Sequence, residues 1–210
     1  MSLLTRLRPP SRIHSTRLAA TLLGAGAVGL AACADAPTAP APRAAYATST
    51  TTSTSTTPLY EAAALTRPSA IGAQQASAVI GPAGGTLTLT SAGITVVVPP
   101  NAVSKLTTFT VTAPSGTGVW YEFQPQGARF AVPLQVTQSL RATNYNALSS
   151  TQRAALRVGY FKDGTINTRS NSAPIYEELP LTIDATLTKA TFKISHFSGY
   201  MMSTGRRGTY

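Results

Sequence analysis

Residues 80–101 read IGPAGGTLTLTSAGITVVVPPN, and this stretch decides the fold class. Residues 86–90 alternate polar and apolar side chains, which is the pattern of a strand with one buried face. Glycines and a proline precede this strand as a turn, and the β-branched residues 94–98 follow it. Two prolines stop the second strand, and Asn101 stands where the chain must turn, a position at which Asn tolerates the left-handed conformation. The stretch therefore predicts short strands joined by turns.

Further short strands are predicted on both sides of this stretch. They fall at residues 78–80, 109–112, 119–123, 134–136, 156–161, 179–183 and 190–194. Residues 149–155 carry a weak helical signal with Ser150 as the N-cap, and residues 162–165 predict a hairpin turn. Seven or more short strands separated by Gly, Pro and Asn turns predict an all-β domain, an antiparallel β-sandwich, over residues 76–202.

The N-terminal segment has the architecture of a signal peptide. Residues 1–18 carry four arginines and no acidic residue, and residues 19–32 are uncharged and mostly apolar. The apolar run is shorter than the roughly 20 residues that a transmembrane helix needs. Residues 1–32 are therefore predicted to be a signal peptide that export removes.

Cys33 is the only cysteine, and it directly follows Leu30, Ala31 and Ala32. This arrangement resembles the lipobox of bacterial lipoproteins. The resemblance implies cleavage between Ala32 and Cys33 and attachment of diacylglycerol and acyl chains such as palmitate at Cys33. Two or more acyl chains hold a protein stably to a membrane. The alternative is an ordinary signal peptide cut near Ala32, which would leave Cys33 unmodified.

The segments that flank the predicted sandwich differ in composition. Residues 33–58 are rich in Ala, Pro, Thr and Ser and have little aliphatic bulk, so they are predicted to be a disordered tether. Residues 59–75 are mildly apolar, and they form either one helical turn or a segment packed on the domain edge. Residues 203–210 are predicted to be a C-terminal tail.

The net charge of +10 overstates how basic the exported protein is. Removing the four arginines of residues 1–32 from the 17 basic residues leaves 13 against 7 acidic residues, a balance of +6. The remaining basic residues are spread singly apart from Arg206 and Arg207, and no basic run is interleaved with aromatic residues. Nucleic-acid binding is therefore not predicted, and attraction to anionic lipid headgroups or surface polysaccharide is favoured.

The predicted sandwich resembles a ZU5 domain. The matching segments are residues 84–86 (GGT), 93–103 (GITVVVPPNAV), 121–125 (YEFQP) with Gly127, Phe130 and Pro133 after it, and 195–200 (SHFSGY). In that family residue 101 is often glycine, and Asn101 replaces it well if the backbone there is left-handed. The resemblance implies a β-sandwich that makes protein–protein contacts or acts as a structural spacer, with no general catalytic function.

Some members of the ZU5 family cut their own chain at a His-Phe-Ser sequence, which is found here at His196, Phe197 and Ser198 in the last predicted strand. The resemblance implies attack of the Ser198 hydroxyl on the Phe197 carbonyl carbon, with His196 as general base and strain at the bond raising the ground state. The product would be a strand from Ser198 onward that stays paired in the sheet. The alternative is a packed Phe197 flanked by two outward polar side chains.

No motif of an enzyme that turns over is present. His196 is the only histidine left after export, and one cysteine permits neither an intramolecular disulfide nor a cysteine-based zinc site. The acidic residues of the domain are few and scattered. Asp163 is assigned to its turn, and Glu177 and Glu178 to a solvated strand end.

The sequence thus predicts a lipid-anchored binding or structural module of the bacterial cell envelope. Its predicted location is extracytoplasmic and, in a Gram-negative cell, the outer membrane. Its partner is an envelope protein or a surface polymer, and it requires no cofactor beyond the lipid. A surface carbohydrate-binding domain is a further alternative, and it would require exposed aromatic residues. Trp120 is the candidate, although packing in the core is favoured for it.

Overall fold

The computed structural model describes residues 56–206, and in them the chain forms an antiparallel β-sandwich. Two sheets, of eight and five strands, are accompanied by a two-stranded ribbon. The all-β prediction is confirmed. The predicted signal peptide, the lipid attachment site at Cys33 and most of the predicted tether lie outside the described residues.

The strands are short and closely spaced. In chain order they are β1 (Tyr60–Ala64), β2 (Thr66–Ile71), β3 (Gln74–Ile80), β4 (Gly85–Leu89), β5 (Ile94–Val98), β6 (Thr107–Ala113), β7 (Gly116–Gly118), β8 (Trp120–Gln124), β9 (Arg129–Ser139), β10 (Arg157–Phe161), β11 (Ser172–Ile175), β12 (Glu177–Leu179), β13 (Leu181–Ile183), β14 (Lys189–His196) and β15 (Gly199–Arg206). The helical elements of the described residues are α1 (Ser150–Ala154) and 3₁₀ turns at Thr90–Ala92 and Asn144–Ala147.

The chain passes between the two sheets at defined corners. The five-stranded sheet has the order β13-β14-β9-β5-β4. The larger sheet follows β11-β1-β15-β8-β6-β3, and β10 joins it by pairing with β15 and β12. One corner is at Pro180, between β12 and β13, where proline has no N–H to continue a ladder. Another lies between β14 and β15, and it contains Phe197 and Ser198.

The main hydrophobic core fills the space between the sheets. Alternation along each strand buries Val96, Phe109 and Val136 while their neighbours in sequence face outward or are only partly buried. A second, smaller core lies on the opposite face of the eight-stranded sheet, around Trp120 and Phe161. Both faces of this sheet are therefore partly covered, which explains why residues 199–204 of β15 are buried without a period of two.

A buried polar network centred on Arg67 ties β2 to both sheets. Arg67 is 5% exposed, and its guanidinium donates to the carbonyl oxygen of Gly118 and to the Tyr121 hydroxyl. The Tyr121 hydroxyl in turn lies 2.8 Å from the Ala92 carbonyl oxygen and 2.5 Å from the Gln138 side-chain oxygen, and it donates its single proton to one of them. Burial raises the pKa of Tyr121 to about 12, although the Arg67 charge acts in the opposite direction. The Arg67 charge is thus satisfied by neutral oxygens.

The ends of the sandwich differ from the sequence-based boundaries. Residues 59–75 contain β1 and β2, so the expected helical turn is absent there and this segment is part of the sandwich. At the other end, β15 continues to Arg206, so residues 203–206 belong to a strand and not to a tail. Both segments form strands because pairing with distant partners satisfies their backbone groups; β1, for example, pairs with β11 and β15.

Two local predictions also need correction. Residues 162–165 form a turn, closed by a hydrogen bond from the Thr165 N–H to the Lys162 carbonyl oxygen, but the next strand, β11, does not pair with β10. The turn is therefore not a hairpin. The predicted helix is present as α1, but its N-cap is Ser149, with Gln152 completing a capping box.

Candidate functional site

The His-Phe-Ser sequence lies at a corner of the sandwich. His196 ends β14 in the five-stranded sheet, and Gly199 begins β15 in the eight-stranded sheet. The pairing of β14 with β9 is irregular just before the corner, where His196 faces Arg129. Phe197 and Ser198 therefore bridge the two sheets, and the prediction that they lie within the last strand is wrong.

Backbone hydrogen bonds hold this corner on both sides of the 197–198 peptide bond. The Phe197 N–H donates to the Ala128 carbonyl oxygen at 2.8 Å, and the Phe197 carbonyl oxygen accepts from the Gly127 N–H at 3.0 Å. The Ser198 carbonyl oxygen accepts from the Phe123 N–H at 3.0 Å. Neither Phe197 nor Ser198 has a positive φ, so the strain expected at this bond is not present as a left-handed backbone.

The Phe197 side chain lies in a cluster of aromatic rings. Its ring centroid is 4.9 Å from that of Phe109, 4.7 Å from that of Phe130 and 5.4 Å from that of Phe123. The first two contacts are edge-to-face, which is a favourable arrangement for aromatic pairs. At 1% exposure, Phe197 anchors the corner in the main core.

The His196 side chain is buried and has polar partners. Its Nε2 atom lies 3.4 Å from a Glu177 carboxylate oxygen, and the Tyr200 hydroxyl lies 3.2 Å from its Nδ1 atom. The Tyr200 hydroxyl also lies 2.9 Å from the His196 carbonyl oxygen, to which it donates. The Tyr160 ring meets the imidazole edge-on at 5.1 Å. Burial raises the pKa of Tyr200 well above its usual value, and the charge of Glu177 adds to this effect.

The Ser198 side chain is also buried, and its hydroxyl donates to the Phe161 carbonyl oxygen at 3.3 Å. No hydrogen bond joins Ser198 to His196 in the described part of the chain. The interpretation in which both polar side chains flank Phe197 and point outward is therefore wrong, because His196 and Ser198 are 7% and 4% exposed.

One cavity brings these groups together. It has a volume of about 240 Å³, and its lining residues are Gln126, Gly127, Arg129, Tyr160, His196, Phe197 and Ser198. The cavity is lined by both residues of the 197–198 bond. The Gly127 N–H is placed to stabilise negative charge on the Phe197 oxygen, and His196 is a base on the same cavity wall. For Ser198 to attack the Phe197 carbonyl carbon, its hydroxyl would have to leave the Phe161 carbonyl oxygen.

Sequence reasoning missed three contributors to this site. The sequence predicts a solvated strand end for Glu177, but its side chain is 19% exposed and contacts His196. The Tyr200 hydroxyl contacts the imidazole of His196, and the backbone N–H of Gly127 donates to the Phe197 carbonyl oxygen. Tyr200 lies four residues after His196, which was the one local signal. Glu177 and Gly127 are distant along the chain and come near only through the sandwich corner.

Two further candidates lie on the other face of the eight-stranded sheet. Trp120 is fully buried in the smaller core, so it does not supply the exposed aromatic surface that the carbohydrate-binding alternative required.

Glu122 and Asp163, expected to be scattered, lie close enough to interact. Burial raises the pKa of Glu122, and the negative charge of Asp163 raises it further. Burial also raises the pKa of Asp163. The Asp163 side chain accepts a hydrogen bond from Gln124 at 3.3 Å.

Neither metal binding nor a relative identifies the site. Among residues 56–206, no three His, Cys, Asp or Glu side chains are grouped closely enough to hold a metal ion. In the same range, no helix is long and apolar enough to cross a membrane.

No protein-family model matches this chain, and none of the curated proteins matches it.

Proposed function

We propose that the protein is a lipid-anchored module of the bacterial cell envelope, in which a ZU5-like sandwich binds a partner or acts as a spacer. The observation that carries this proposal is Cys33, placed after two alanines at the end of an uncharged apolar run. Lipid on Cys33 would anchor the chain outside the cytoplasm, and in a cell with two membranes at the outer membrane. Ala34 is not the acidic residue that retains lipoproteins at the inner membrane in some organisms, and in those organisms it favours the outer membrane.

The chain between the anchor and the sandwich supports the same proposal. β1 begins at Tyr60, so residues 34–59 separate it from Cys33. Fully extended, that many residues would reach at most about 90 Å. The sandwich could therefore reach partners well above the lipid headgroups.

One backbone angle supports the resemblance to the ZU5 family. Asn101 has a φ of 64°, in the left-handed region that its replacement of a glycine requires. The N–H of Asn101 donates to the Pro82 carbonyl oxygen at 2.8 Å, which joins the two turns at which the family resemblance begins. A glycine at this position would adopt the same conformation without strain.

The anchor is tested by expressing the full chain in a Gram-negative host and separating the membranes. We expect the wild type in the outer-membrane fraction, with an N-terminal peptide that begins at Cys33 and carries the mass of a diacylglycerol and an acyl chain. Cys33→Ser should lose the lipid, and Ser49→Ala, a control in the predicted tether, should retain it. A mature chain that begins near Cys33 without lipid would refute the anchor and favour the ordinary signal peptide.

A second proposed function is one self-cleavage between Phe197 and Ser198. It is supported by the cavity that His196 and Ser198 share and by the Gly127 hydrogen bond to the Phe197 carbonyl oxygen. The Ser198 oxygen would attack the Phe197 carbonyl carbon while its proton passes to His196. The carbon–nitrogen bond would then break, with the proton moving to the released amine and an ester remaining. Water would hydrolyse this ester to the Phe197 carboxylate and the Ser198 hydroxyl.

The cleaved protein would stay assembled. The new fragment would begin at Ser198 and contain β15, which pairs with β1, β8 and β10. These three ladders are independent of the 197–198 bond. Cleavage would therefore separate the chains only after denaturation.

The intact mass of the denatured protein tests self-cleavage. We expect two fragments from the wild type and from Ser198→Cys, which keeps a nucleophile, and one chain from Ser198→Ala and His196→Gln. Ser195→Ala, which changes an exposed serine nearby, is the matched control and should cleave normally. A single full-length wild-type chain after long incubation at several pH values would eliminate this function and leave the anchored module untouched.

A further inference from the structure

The outer face of the five-stranded sheet carries a continuous row of threonines. Each strand contributes one member, and the backbone pairs are Thr88 with Thr95, Thr95 with Thr137, Thr137 with Thr191, and Thr191 with Thr182. Neighbouring strands lie about 4.8 Å apart, so the row extends about 19 Å across the sheet. The hydroxyl groups therefore repeat at one strand spacing along a line perpendicular to the strands.

The threonine row faces solvent and retains hydrogen-bonding capacity. Thr88 and Thr182 are exposed and the other three are half-buried, while the residues before and after Thr88, Thr95 and Thr137 are buried between the sheets. The Thr88 and Thr95 hydroxyls are 3.4 Å apart, and so are those of Thr137 and Thr191. These contacts are long, and each hydroxyl has one donor and two acceptor sites. The row can therefore bind a ligand rich in hydroxyl groups.

Threonine is common in strands, so the row alone is no site. The second observation is a pair of depressions, each lined by two threonines of the row and one lysine. The first, of about 300 Å³, is lined by Gly93, Thr95, Thr137, Ser139 and Lys189. The second, of about 400 Å³, is lined by Leu179, Pro180, Thr182, Thr191, Phe192 and Lys193. The same combination of hydroxyls and a cation thus occurs twice along the row.

The charge of this face is of one sign. No strand of the five-stranded sheet contains Asp or Glu, whereas the larger sheet contains four glutamates. Within residues 56–206, neither Lys189 nor Lys193 has an ion pair. Asp184 follows β13, but its carboxylate accepts hydrogen bonds from within its own turn, including the Thr188 hydroxyl and the Lys189 N–H. The two ammonium groups are therefore available to an anionic partner.

We infer that this face binds an anionic polysaccharide, with its chain lying along the threonine row. The inference rests on the proposed envelope location and names the partner of that module. One strand spacing is close to the length of a sugar ring, so successive sugars would meet successive threonines. Lys189 and Lys193 would contact acidic groups of the polymer, so recognition on this face would use charge and hydroxyl groups and would not need the exposed aromatic ring that the carbohydrate-binding alternative at Trp120 required. A second copy of this face would instead oppose like charges, and the row offers no aromatic ring on which nucleic-acid bases could stack.

Fluorescently labelled alginate, a linear polymer of uronic acids, is the probe, and its binding to the full purified chain is measured by anisotropy. We expect Lys189→Gln with Lys193→Gln to weaken binding roughly tenfold. Thr137→Val with Thr191→Val keeps charge and side-chain shape, and should weaken binding about fivefold. Raising the salt concentration should weaken binding by the wild type.

The matched control removes the same charge from other surfaces. Lys105→Gln with Arg169→Gln alters two exposed cations outside the threonine row and should leave binding nearly unchanged. Neutral dextran should not compete. Single-stranded DNA and a soluble short-chain phosphatidylglycerol should compete only weakly at equal charge.

Four results would overturn the inference. They are no alginate binding by the wild type, an equal loss in the control variant, full binding by the threonine variant, and equal competition by DNA or phosphatidylglycerol. Lipid attachment at Cys33 is measured separately. A failed polymer experiment with normal lipid attachment would therefore remove this partner and leave the anchored module standing.

Discussion

Phe197→Ala should destabilise the sandwich more than any other change at the His-Phe-Ser corner. Truncation of a buried phenylalanine costs about 3–5 kcal/mol of unfolding free energy, because burial is lost and a cavity remains. Phe197 is 1% exposed and contacts the rings of Phe109, Phe123 and Phe130, so we expect about 4 kcal/mol. Domains of this size typically have 5–15 kcal/mol in all, and the change should lower the melting temperature by about 10 °C.

The assay is urea unfolding followed by tryptophan fluorescence, with thermal unfolding as a second probe. Every sample carries Ser198→Ala, so that the 197–198 bond is intact and only the ring differs. Phe197→Leu fills most of the space and should cost about 1.5 kcal/mol. Leu106→Ala, at a side chain 73% exposed, should cost less than about 0.5 kcal/mol. A loss below about 1 kcal/mol for Phe197→Ala would show that this ring does not anchor the corner.

Three further changes test the corner and a turn. Gly199→Ala should cost about 3 kcal/mol in urea unfolding, since the added methyl carbon would lie 2.2 Å from the Phe161 ring. Hydrogen bonds from the Thr186 hydroxyl and from backbone N–H groups hold the pKa of Asp184 well below its usual range. Because this pKa is lower in the folded state, the stabilisation is present above about pH 4 and is lost as the pH falls through the folded-state pKa. Unfolding curves should therefore show Asp184→Asn less stable than wild type at pH 7, with the gap closing in acid. Leu187→Gly should stabilise by about 0.5 kcal/mol, because Leu187 holds a left-handed φ of 57°.

The chain offers a control for each of these changes. A methyl group added at Gly72 would meet nothing within 4 Å, so Gly72→Ala should be nearly neutral, and a similar loss at both glycines would argue against the clash. A stability gap for Asp184→Asn that stays constant from pH 7 to acid would contradict the hydrogen-bond account. Leu106→Gly, at an exposed leucine without a positive φ, should destabilise, and stabilisation there would remove backbone strain as the reason at Leu187.

Strands with a strict alternation could be predicted from the sequence because their signal is local. Residues 94–98 match β5, and residues 86–90 match β4 within one residue. The long-range pairs had no such signal. β1 is a short, alanine-rich segment, and it is a strand because β11 and β15 lie on either side of it. The Lys162 turn predicts a hairpin by its residue types, but β10 instead pairs with β15 and β12.

The candidate site divides in the same way. His196, Phe197 and Ser198 could be nominated because they are adjacent in sequence. That Phe197 would be buried was also expected from its residue type. The burial of His196 and Ser198 could not be expected, since it depends on a corner between two sheets. The threonine row could not be found either, because its members come from five separate strands and are aligned only by the register of the sheet.

The sequence by itself determined the all-β class, most strand positions and the residues to consider at the corner. It also carries the whole basis for the proposed lipid anchor. These features depend on neighbouring residues, through alternation, turn residues and the composition before Cys33. Tertiary structure alone decided that Glu177 meets His196, that Ser198 donates to Phe161, and that lysines and threonines share one face. The physical reason is that such contacts join residues far apart in the chain, and only strand pairing and sheet packing bring them within reach.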